Sequence, residues 1–538
     1  MELSSLKDYL AKFKAINRSI TPLPYQGFLK TLREFQHKAL EACDKDNTRG
    51  RVTAPCGCGK TCIQQAWHVG DMLERSLAGE FGVYVIASHR LILNNQLLGR
   101  VLELIIECRI PCDVLYVGSM NVSLDEYYIK YAGTGFSSKV CNCISSTDQK
   151  VIEKFIADAR PLNRNVLVVS TYDSIGLLEN IGDIRQCSYD EAHNTLAQGF
   201  TKNIARMSSH VLKSRFFTAT PKKRGDNGGM NDTSVYGEWL YDYAPRDARI
   251  DSEICYPRVS VVDAIDPDNT TTDKNVNMHV RSLIEAYKDH SSKVLGRSVD
   301  ADSIAPKILV SASGIQEMED IYFNHDFQSF AKDNNITIAA ISSDGCYFNG
   351  EKYSRSKFME LLLKIAYTEA AIIFNVDILT EGFDLPAITG VMLHRNMSNT
   401  RLLQLLGRCL RLHREDRARL YSGELTPGDY ANYVKPYGYI IIPRHLQSVS
   451  DHKWMIECIQ EIMTAYETKA EELMVQETFK DTHHDQLESV IPFDPNSGRM
   501  FDLIVTEINL KLLLDNTISM RQPQKKAYIE KLTGELNA

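Results

Sequence analysis

Several features that would assign the chain to a specialised class are missing from its 538 residues. No apolar run approaches the ~20 residues of a membrane-spanning helix, and the longest apolar stretches, such as Phe81 to Ala87, have the length of a strand. The N-terminus lacks the basic and apolar regions of a secretory signal. Internal repeats and low-complexity tracts are absent as well. The sequence therefore predicts an intracellular protein that makes no membrane contact.

The cysteines form no CxxC pair, although there are thirteen of them. Their odd number and scattered positions argue against a disulfide framework and fit reduced thiols in the cytoplasm or nucleus. Cys141 with Cys143, and Cys108 with Cys112, could be metal ligands. Since neither pair has a partner pair, inert thiols are the preferred interpretation.

Neither sign of charge predominates strongly, because the chain has 61 Lys and Arg residues and 69 Asp and Glu residues, which gives a net charge of −8. Such a chain is not a general polyanion binder, so any contact with nucleic acid has to come from local basic patches. The length exceeds what a single hydrophobic core supports, which predicts at least two domains.

Two series of short apolar strands alternate with helix-length segments. The predicted strands of the first series are Gly82–Ala87, Asp113–Val117, Val166–Ser170 and Arg215–Thr218. Gly50–Thr53 is a further strand-like segment, and Ile184–Tyr189 is another that is more polar than a central strand should be. The predicted strands of the second series are Lys307–Ala312, Ile336–Ile341, Ala370–Val376, Gly390–His394 and Tyr437–Ile442. This alternation predicts an α/β fold in which helices cover parallel sheets.

Composition divides the chain into five predicted segments. They are an N-terminal helical segment (1–27), a first α/β domain (28–265), a polar linker (266–277), a second α/β domain (278–445) and a helical C-terminal extension (446–538). The linker is assigned from its turn-forming Asp, Pro, Asn and Thr residues. Residues 118–158 are either an insertion or a surface loop with its own helix.

The segment Ala-Pro-Cys-Gly-Cys-Gly-Lys-Thr, residues 54–61, lies between a predicted strand and a predicted helix. Phosphate binding needs backbone N–H groups at a helix N-terminus, a lysine and a hydroxyl for magnesium. Gly57 and Gly59 allow close approach of the backbone, Lys60 would meet the β- and γ-phosphates, and Thr61 would ligate Mg²⁺. A glycine turn before a helix does not explain Lys-Thr in this register, so the sequence predicts an ATP site.

Two thiols belong to this loop. Cys58 is assigned to nucleotide binding with the glycines, and Cys56 lies on the other side of Gly57. A thiol at a helix N-terminus can have a lowered pKa, which would allow redox control of ATP binding. Small, inert packing residues are the preferred interpretation.

Two further segments carry groups that phosphoryl transfer requires. Asp190 could hold magnesium at the end of a strand while Glu191 orients or deprotonates water; an acidic turn at a helix start is the alternative. Gln404, Arg408 and Arg411 have the 3–4 spacing of one helix face. Arginines stabilise the negative charge that develops on a γ-phosphate, although a solvated basic helix face is the commoner arrangement.

In order and spacing, these segments resemble the motifs of superfamily 2 helicases, in the DEAH-box branch that includes restriction-enzyme motor subunits. The resemblance extends from about Leu32 to Pro443 and implies a role for further residues. Gln36 would contact the adenine side of ATP. The implied nucleic-acid contacts are Ser88, Arg90, Ser170, Thr171, Ser311 and Thr380. The implied coupling residues are His193, Thr218, Thr220, Gly382 and Asp384.

The resemblance also implies two tandem RecA-like domains and a function. ATP and Mg²⁺ would be the cofactors, and hydrolysis in an interlobe cleft would drive movement on DNA or RNA; resemblance to DNA-translocating members favours DNA. Two alternatives stay open, namely a duplex translocase that does not separate strands and an ATP-switched nucleic-acid sensor or scaffold subunit. A protein partner could bind the C-terminal helices.

Overall fold

The computed structural model describes residues 20–80, 82–118, 123–134, 136–138, 140–197, 199–224, 228–264, 274–376, 378, 387–394, 397, 399–445 and 449–468. The chain forms two compact units, Met1–Ala244 and Pro245–Ala538, each with its own sheet. Within the described ranges, no helix combines the length and the apolar character that crossing a membrane demands.

The first unit is built on an eight-stranded sheet. Its helices are α1 (Leu23–Leu29), α2 (Glu34–Asp44), α3 (Lys60–Ala78), α4 (Leu91–Glu107), α5 (Asp125–Lys130), α6 (Gln149–Ala159), α7 (Phe200–His210) and α8 (Thr233–Tyr236). Its strands are β1 (Arg49–Thr53), β2 (Val83–Ser88), β3 (Cys112–Val117), β4 (Cys143–Ser146), β5 (Asn165–Thr171), β6 (Ile184–Asp190), β7 (Val211–Thr218), β8 (Lys223–Arg224), β9 (Gly228–Gly229) and β10 (Glu238–Asp242). The sheet order is β10-β1-β7-β6-β2-β5-β3-β4, with every neighbouring pair parallel. Strands β8 and β9 form a separate antiparallel pair.

Both faces of this sheet are buried, because side chains alternate along each strand. In β2, Val83 and Val85 pack into a core with apolar residues of α6 and α7. Tyr84 and Ile86 point to the opposite core, which α3 and α4 complete. Strands buried on two faces explain the continuous apolar runs from which the sequence predicted a parallel sheet.

Strand β6 lies in the middle of the sheet although it carries Arg185, Gln186 and Ser188. Helix α3 supplies the polar partners that such a buried strand needs. Asp71 accepts two hydrogen bonds from the Arg185 guanidinium, at 2.9 and 3.0 Å, and His68 Nε2 lies 2.8 Å from Ser188 Oγ. Burial lowers the pKa of His68 to about 3, so this ring is neutral.

The second unit contains another eight-stranded sheet. Its helices are α9 (Pro245–Ile250), α10 (Lys274–Arg297), α11 (Ile315–Tyr322), α12 (His325–Asp333), α13 (Arg355–Lys364), α14 (Asn399–Cys409), α15 (Arg414–Ser422) and α16 (Val449–Tyr466). Its strands are β11 (Tyr256–Ala264), β12 (Lys307–Ser311), β13 (Thr337–Ile341), β14 (Cys346–Phe348), β15 (Glu351–Tyr353), β16 (Ala371–Asn375), β17 (Gly390–Leu393) and β18 (Tyr437–His445). The order is β11-β18-β17-β12-β16-β13-β14-β15, antiparallel at the last two pairings and parallel elsewhere. Helices α10, α11 and α12 pack against this sheet in a shared apolar core.

The first domain ends earlier than the predicted residue 265. Strand β11 pairs along its whole length with β18, so residues 245–264 belong to the second unit. The sequence did not reveal this because the two partners lie about 180 residues apart, and composition carries no record of such pairing. Of the predicted linker, residues 266–273 lie outside the described residues and Lys274 already begins α10.

Other differences concern elements that add to the sheets. Residues 118–158 contain α5, most of α6 and the parallel edge strand β4, so this region extends the first sheet. The antiparallel hairpin β14–β15 turns at Asn349 and Gly350, which both have positive φ, as a two-residue hairpin turn requires. In the predicted C-terminal extension α16 is helical, while residues 469–538, like residues 1–19, lie outside the described residues.

Candidate nucleotide site

One edge of the first sheet collects most of the predicted residues. Strands β1, β7, β6, β2 and β5 end at Thr53, Thr218, Asp190, Ser88 and Thr171, respectively. The pairing register places Thr53 beside Thr218, and Ser88 beside Thr171. Carboxyl ends of parallel strands are where open α/β sheets bind ligands.

The loop between β1 and α3 has the backbone that a phosphate site needs. Gly57 and Gly59 have φ values of 85° and 75°, which side chains disfavour, and Gly59 caps the N-terminus of α3. A Cβ atom on Gly59 would lie 2.7 Å from Gln36 Nε2, so the position also lacks room for a side chain. The loop therefore presents backbone at a helix N-terminus, where anions are favoured.

Gln36 holds this loop in the described conformation. Its Nε2 donates to the carbonyl oxygens of Gly59 and Cys58, at 3.1 and 3.3 Å, and its Oε1 accepts from the Arg33 backbone N–H at 2.9 Å. The Arg33 guanidinium also donates to the Cys58 carbonyl. Gln36 is thus a positioning residue for the loop, and its contact with adenine stays a prediction.

Lys60 is a buried cation in the first turn of α3. Its Nζ donates to the Ala54 carbonyl oxygen at 3.2 Å. Burial acts to lower the pKa of Lys60, but the negative charges of Glu191 and Asp190 outweigh this effect and raise it. The ammonium group therefore stays charged at neutral pH, as binding to a phosphate requires.

Two buried carboxyl groups follow one another at the end of β6. Asp190 Oδ1 accepts from Gln64 Nε2 at 2.8 Å. Glu191 has a φ of 50°, a left-handed conformation that is uncommon for a residue with a side chain and typical of functional positions. Its Oε2 is buried and has no hydrogen-bond partner among the described residues.

This carboxyl pair fits a divalent cation. Burial, followed by repulsion from Glu191, raises the pKa of Asp190 to about 6, because both effects disfavour the ionised form of this carboxyl group. Thr61, half-buried in the first turn of α3, brings the hydroxyl that the phosphate-loop pattern assigns to magnesium. Oxygen ligands of this kind suit Mg²⁺.

The predicted coupling residues of the first unit meet beside Glu191. His193 Nδ1 lies 3.0 Å from Thr218 Oγ1 and 3.6 Å from Glu191 Oε2. Thr218 Oγ1 also accepts from the Thr220 backbone N–H at 3.2 Å. A chain of polar contacts thus joins the end of β7 to the carboxyl group at the end of β6.

The predicted nucleic-acid contacts of the first unit mostly face the protein itself. Ser88 Oγ donates to the Arg90 carbonyl oxygen and Ser170 Oγ to that of Thr171, both at 3.0 Å. Ser88, Ser170 and, in the second unit, Ser311 are fully buried. In this conformation these three hydroxyls are not accessible to the phosphates of a nucleic acid. Contact between their segments and nucleic acid stays a prediction.

In the second unit, Gln404 and Arg408 are buried neighbours on α14, four residues apart. Arg411 does not share this helix face as predicted, because α14 ends at Cys409 and Arg411 forms an isolated antiparallel bridge with Ile254. The reason is that Lys435 Nζ donates to the carbonyl oxygens of Cys409 and Arg411, at 2.7 and 2.6 Å, in place of further helical N–H groups. Thr380, Gly382 and Asp384 lie outside the described residues.

Sequence reasoning missed two residues that position Asp190. Gln64 donates to its carboxylate, and the signal was available, since Gln64 lies one helical turn after Lys60. Tyr172 donates from its hydroxyl to the Asp190 carbonyl oxygen at 2.5 Å. Nothing in the spacing of the motifs pointed to Tyr172.

The raised pKa of Asp190 predicts a pH-dependent effect on stability. The carboxyl pKa is 3.8 when unperturbed and about 6 in the fold, so its ionisation destabilises the fold increasingly between about pH 4 and pH 6 and fully above pH 6. Asp190→Asn keeps an oxygen acceptor for Gln64 and removes this cost, so it should stabilise the ligand-free protein by up to about 3 kcal/mol at neutral pH.

Thermal unfolding at about pH 7.5 and pH 5 measures this effect. Asp190→Asn should raise the Tm at the higher pH and raise it less at the lower pH, whereas Asp173→Asn, at an exposed position nearby, should change neither. A Tm that falls at pH 7.5 would show that the carboxylate is not under electrostatic strain.

Comparison with known proteins supports the fold. Neither a protein-family model nor a curated protein sequence matches the chain. A solved structure described as the ATP-dependent Type ISP restriction-modification enzyme LlaBIII bound to DNA is similar, with a TM-score of 0.60 and 18% identity over 89% of this chain and 33% of that one. This chain therefore spans about a third of the length of that enzyme.

Two other structures are similar at lower TM-scores. A fragment of a putative HsdR subunit of a type I restriction enzyme from Vibrio vulnificus YJ016 has a TM-score of 0.45 and 16% identity, over 78% of this chain and 65% of that one. S. cerevisiae Dbp5 bound to RNA and ADP BeF3 has a TM-score of 0.49 and 13% identity, over 92% and 99%. The two sheets and the likeness to LlaBIII confirm the predicted fold class, an α/β fold with two RecA-like domains in sequence.

Proposed function

We propose that this protein is a nucleic-acid-stimulated ATPase that uses ATP hydrolysis to move on DNA. The observation that carries the proposal is the arrangement of one buried ammonium group, Lys60, with the buried carboxyl groups of Asp190 and Glu191 at a phosphate-type loop. A structural ion cluster would not require a glycine loop of positive φ at a helix N-terminus beside it.

The first unit binds the nucleotide in this proposal. The loop at Gly57 and Gly59 supplies backbone N–H groups, and Lys60 binds the β- and γ-phosphates. Asp190 and Thr61 hold Mg²⁺, which neutralises phosphate charge when it is bound. Gln36 keeps the loop open for the phosphates through its hydrogen bonds to Cys58 and Gly59.

Hydrolysis depends on Glu191, which orients the attacking water and accepts its proton. Its buried Oε2 has no hydrogen-bond donor among the described residues, so this oxygen is free to accept one from water. Arg408 and Arg411 of the second unit stabilise the charge that develops on the γ-phosphate. Chemistry therefore requires both units, which links ATP turnover to a conformational change.

The polar chain from Glu191 through His193 to Thr218 and Thr220 connects the nucleotide to the nucleic acid. Tyr172 adds a second connection between the two sites. Its hydroxyl donates a hydrogen bond to the Asp190 carbonyl oxygen, and it directly follows Thr171, a predicted nucleic-acid contact. That LlaBIII was solved bound to DNA supports DNA as the polymer. Contacts to phosphates would give affinity without sequence preference.

The second candidate is a translocase that moves on duplex DNA without separating its strands. The likeness to a restriction-modification enzyme favours it. A triplex-displacement assay detects movement on duplex, and a forked-duplex assay detects unwinding. Displacement without unwinding establishes the translocase, unwinding establishes the helicase, and ATP turnover with neither result indicates an ATP-switched sensor.

Replacement of Lys60 by Ala tests the nucleotide site itself. The variant should lose ATP turnover at least about 10²-fold, since the phosphates lose their only predicted lysine contact, while the protein still folds and binds nucleic acid. Lys38→Ala, at an exposed position on α2, is the matched control and should hydrolyse ATP normally. A Lys60→Ala variant with normal turnover would remove the proposed function.

A further inference from the structure

Three side chains that the proposed function does not use converge in the second unit. They are His279 on α10, Glu317 in the first turn of α11 and His394, which directly follows β17. His279 Nδ1 lies 2.8 Å and His394 Nδ1 lies 3.4 Å from the same oxygen, Glu317 Oε1. Two imidazole nitrogens and one carboxylate oxygen thus face a common point.

The surrounding protein holds the group in place. Glu317 Oε2 accepts hydrogen bonds from the backbone N–H and hydroxyl of Ser313, which leaves Oε1 to face the histidines. The backbone N–H of His394 donates to the Ser311 carbonyl oxygen at 3.1 Å. A partner outside the ligand set, of the kind that orients a metal ligand, is therefore present for the Glu317 carboxylate, and the His394 backbone is held at the end of β17.

The protein buries the His394 ring and makes only a long contact with the nitrogen that faces Glu317. The His394 side chain is 1% exposed, and its Nε2 has no hydrogen-bond partner among the described residues. The 3.4 Å separation from Glu317 is also long for a strong charge-assisted hydrogen bond.

The distances suit a metal ion. All three ligand atoms lie within 4.8 Å of one another. Ligands about 2.1 Å from a tetrahedral zinc ion are separated by about 3.4 Å, so small side-chain movements suffice. His279 and Glu317 keep side-chain exposures of 20% and 16%, which gives an ion access from solvent and leaves a fourth position for water.

We propose that His279, Glu317 and His394 form a binding site for a divalent transition-metal ion, with zinc as the expected ion. Two histidines and one carboxylate are a ligand set that binds Zn²⁺ and leaves a coordination position open. The ion would join α10, α11 and the segment after β17 at the carboxyl edge of the second sheet. The site shares no residue with the proposed ATPase, so its test does not depend on ATP turnover.

Cobalt absorption spectroscopy of the full chain tests the site, after dialysis against a chelator. The Asp190→Asn variant is used as the background, so that the magnesium site of the first unit does not contribute. One equivalent of Co²⁺ should produce ligand-field bands without a sulfur-to-cobalt charge-transfer band, and Zn²⁺ should remove them. The absence of the sulfur band separates this site from the thirteen cysteines.

Variants of the ligands complete the experiment. Loss of a residue that only orients a metal ligand weakens metal binding about 10–100-fold. Loss of a ligand itself should cost more, so His279→Ala and His394→Ala should each weaken binding at least about 100-fold. The Tm of each variant shows whether it is folded. His325→Ala, whose side chain is 93% exposed, should bind like the background. Three results would each overturn the proposal: no cobalt bands in the background protein, a dominant sulfur-to-cobalt band, or unchanged metal binding in both ligand variants. The three side chains would then form a hydrogen-bonded His–Glu–His cluster without a metal.

Discussion

Replacement of Glu191 by Gln is expected to lower ATP turnover by about 10²–10⁴-fold while ATP binding is retained. An amide has nearly the same shape as the carboxylate but cannot accept a proton from water, and loss of a general base typically costs this factor. The left-handed backbone conformation of Glu191 also supports a functional role, because strain of this kind persists where it serves a function. Single-turnover hydrolysis and equilibrium ATP binding measure the two effects separately.

The matched control for this variant is Glu153→Gln, on the exposed side of α6. It removes the same charge from the same unit and should leave turnover unchanged. A Glu191→Gln enzyme that hydrolyses ATP at the wild-type rate would show that this carboxylate does not activate water. Lys60 and Asp190 would then bind a nucleotide without a base beside it.

Replacement of Arg408 or Arg411 by Ala should lower hydrolysis by about 10³–10⁵-fold, the range found for arginines that stabilise a transferring phosphoryl group. ATP binding by the first unit should survive in both variants. Lys at either position should rescue little, because a single ammonium cannot reproduce the planar array of donors of a guanidinium. Because Arg408 is buried, the Tm of each variant shows whether a lost rate reflects loss of the fold instead.

Arg414→Ala is the control for the arginine variants. Arg414 is exposed on the next helix, with its guanidinium 5.0 Å from the Tyr367 ring, and has no predicted role in hydrolysis. Turnover in this variant should equal that of the wild type. If the Arg408 and Arg411 variants behave like the control, the second unit does not take part in the chemistry.

The sequence predicted the sheets well because buried parallel strands are continuous apolar runs. The strands at Val83–Ser88 and Asn165–Thr171 lie within one residue of the predicted bounds. Strand β6 is a central strand although its sequence is polar for that position. Asp71 and His68 of α3 form hydrogen bonds with its polar side chains. Such compensation depends on which helix covers the strand, which sequence patterns do not report.

The candidate site was predicted where local spacing determines it. Gly57, Gly59, Lys60 and Thr61 lie within one stretch of five residues, so a strand–loop–helix pattern was enough to place them around one helix N-terminus. Arg411 differs because a residue outside its segment, Lys435, takes over the carbonyl groups at the end of α14.

Features set by distant parts of the chain could not be predicted. His279, Glu317 and His394 carry no motif, and their meeting follows from the order in which β12 and β17 pair within the second sheet. Strand β11 likewise belongs to that sheet because it pairs with β18, which is distant in the sequence. Local patterns identify elements, whereas pairing between distant segments is decided by the burial of whole surfaces.

The most direct test of the account is the steady-state ATPase rate of the intact protein without polymer and with single-stranded DNA, duplex DNA or single-stranded RNA, at one moderate salt concentration. We expect Mg²⁺-dependent hydrolysis that DNA stimulates strongly and that Lys60→Ala abolishes. A low rate that none of the three polymers changes would contradict the central claim that this fold couples ATP to movement on nucleic acid.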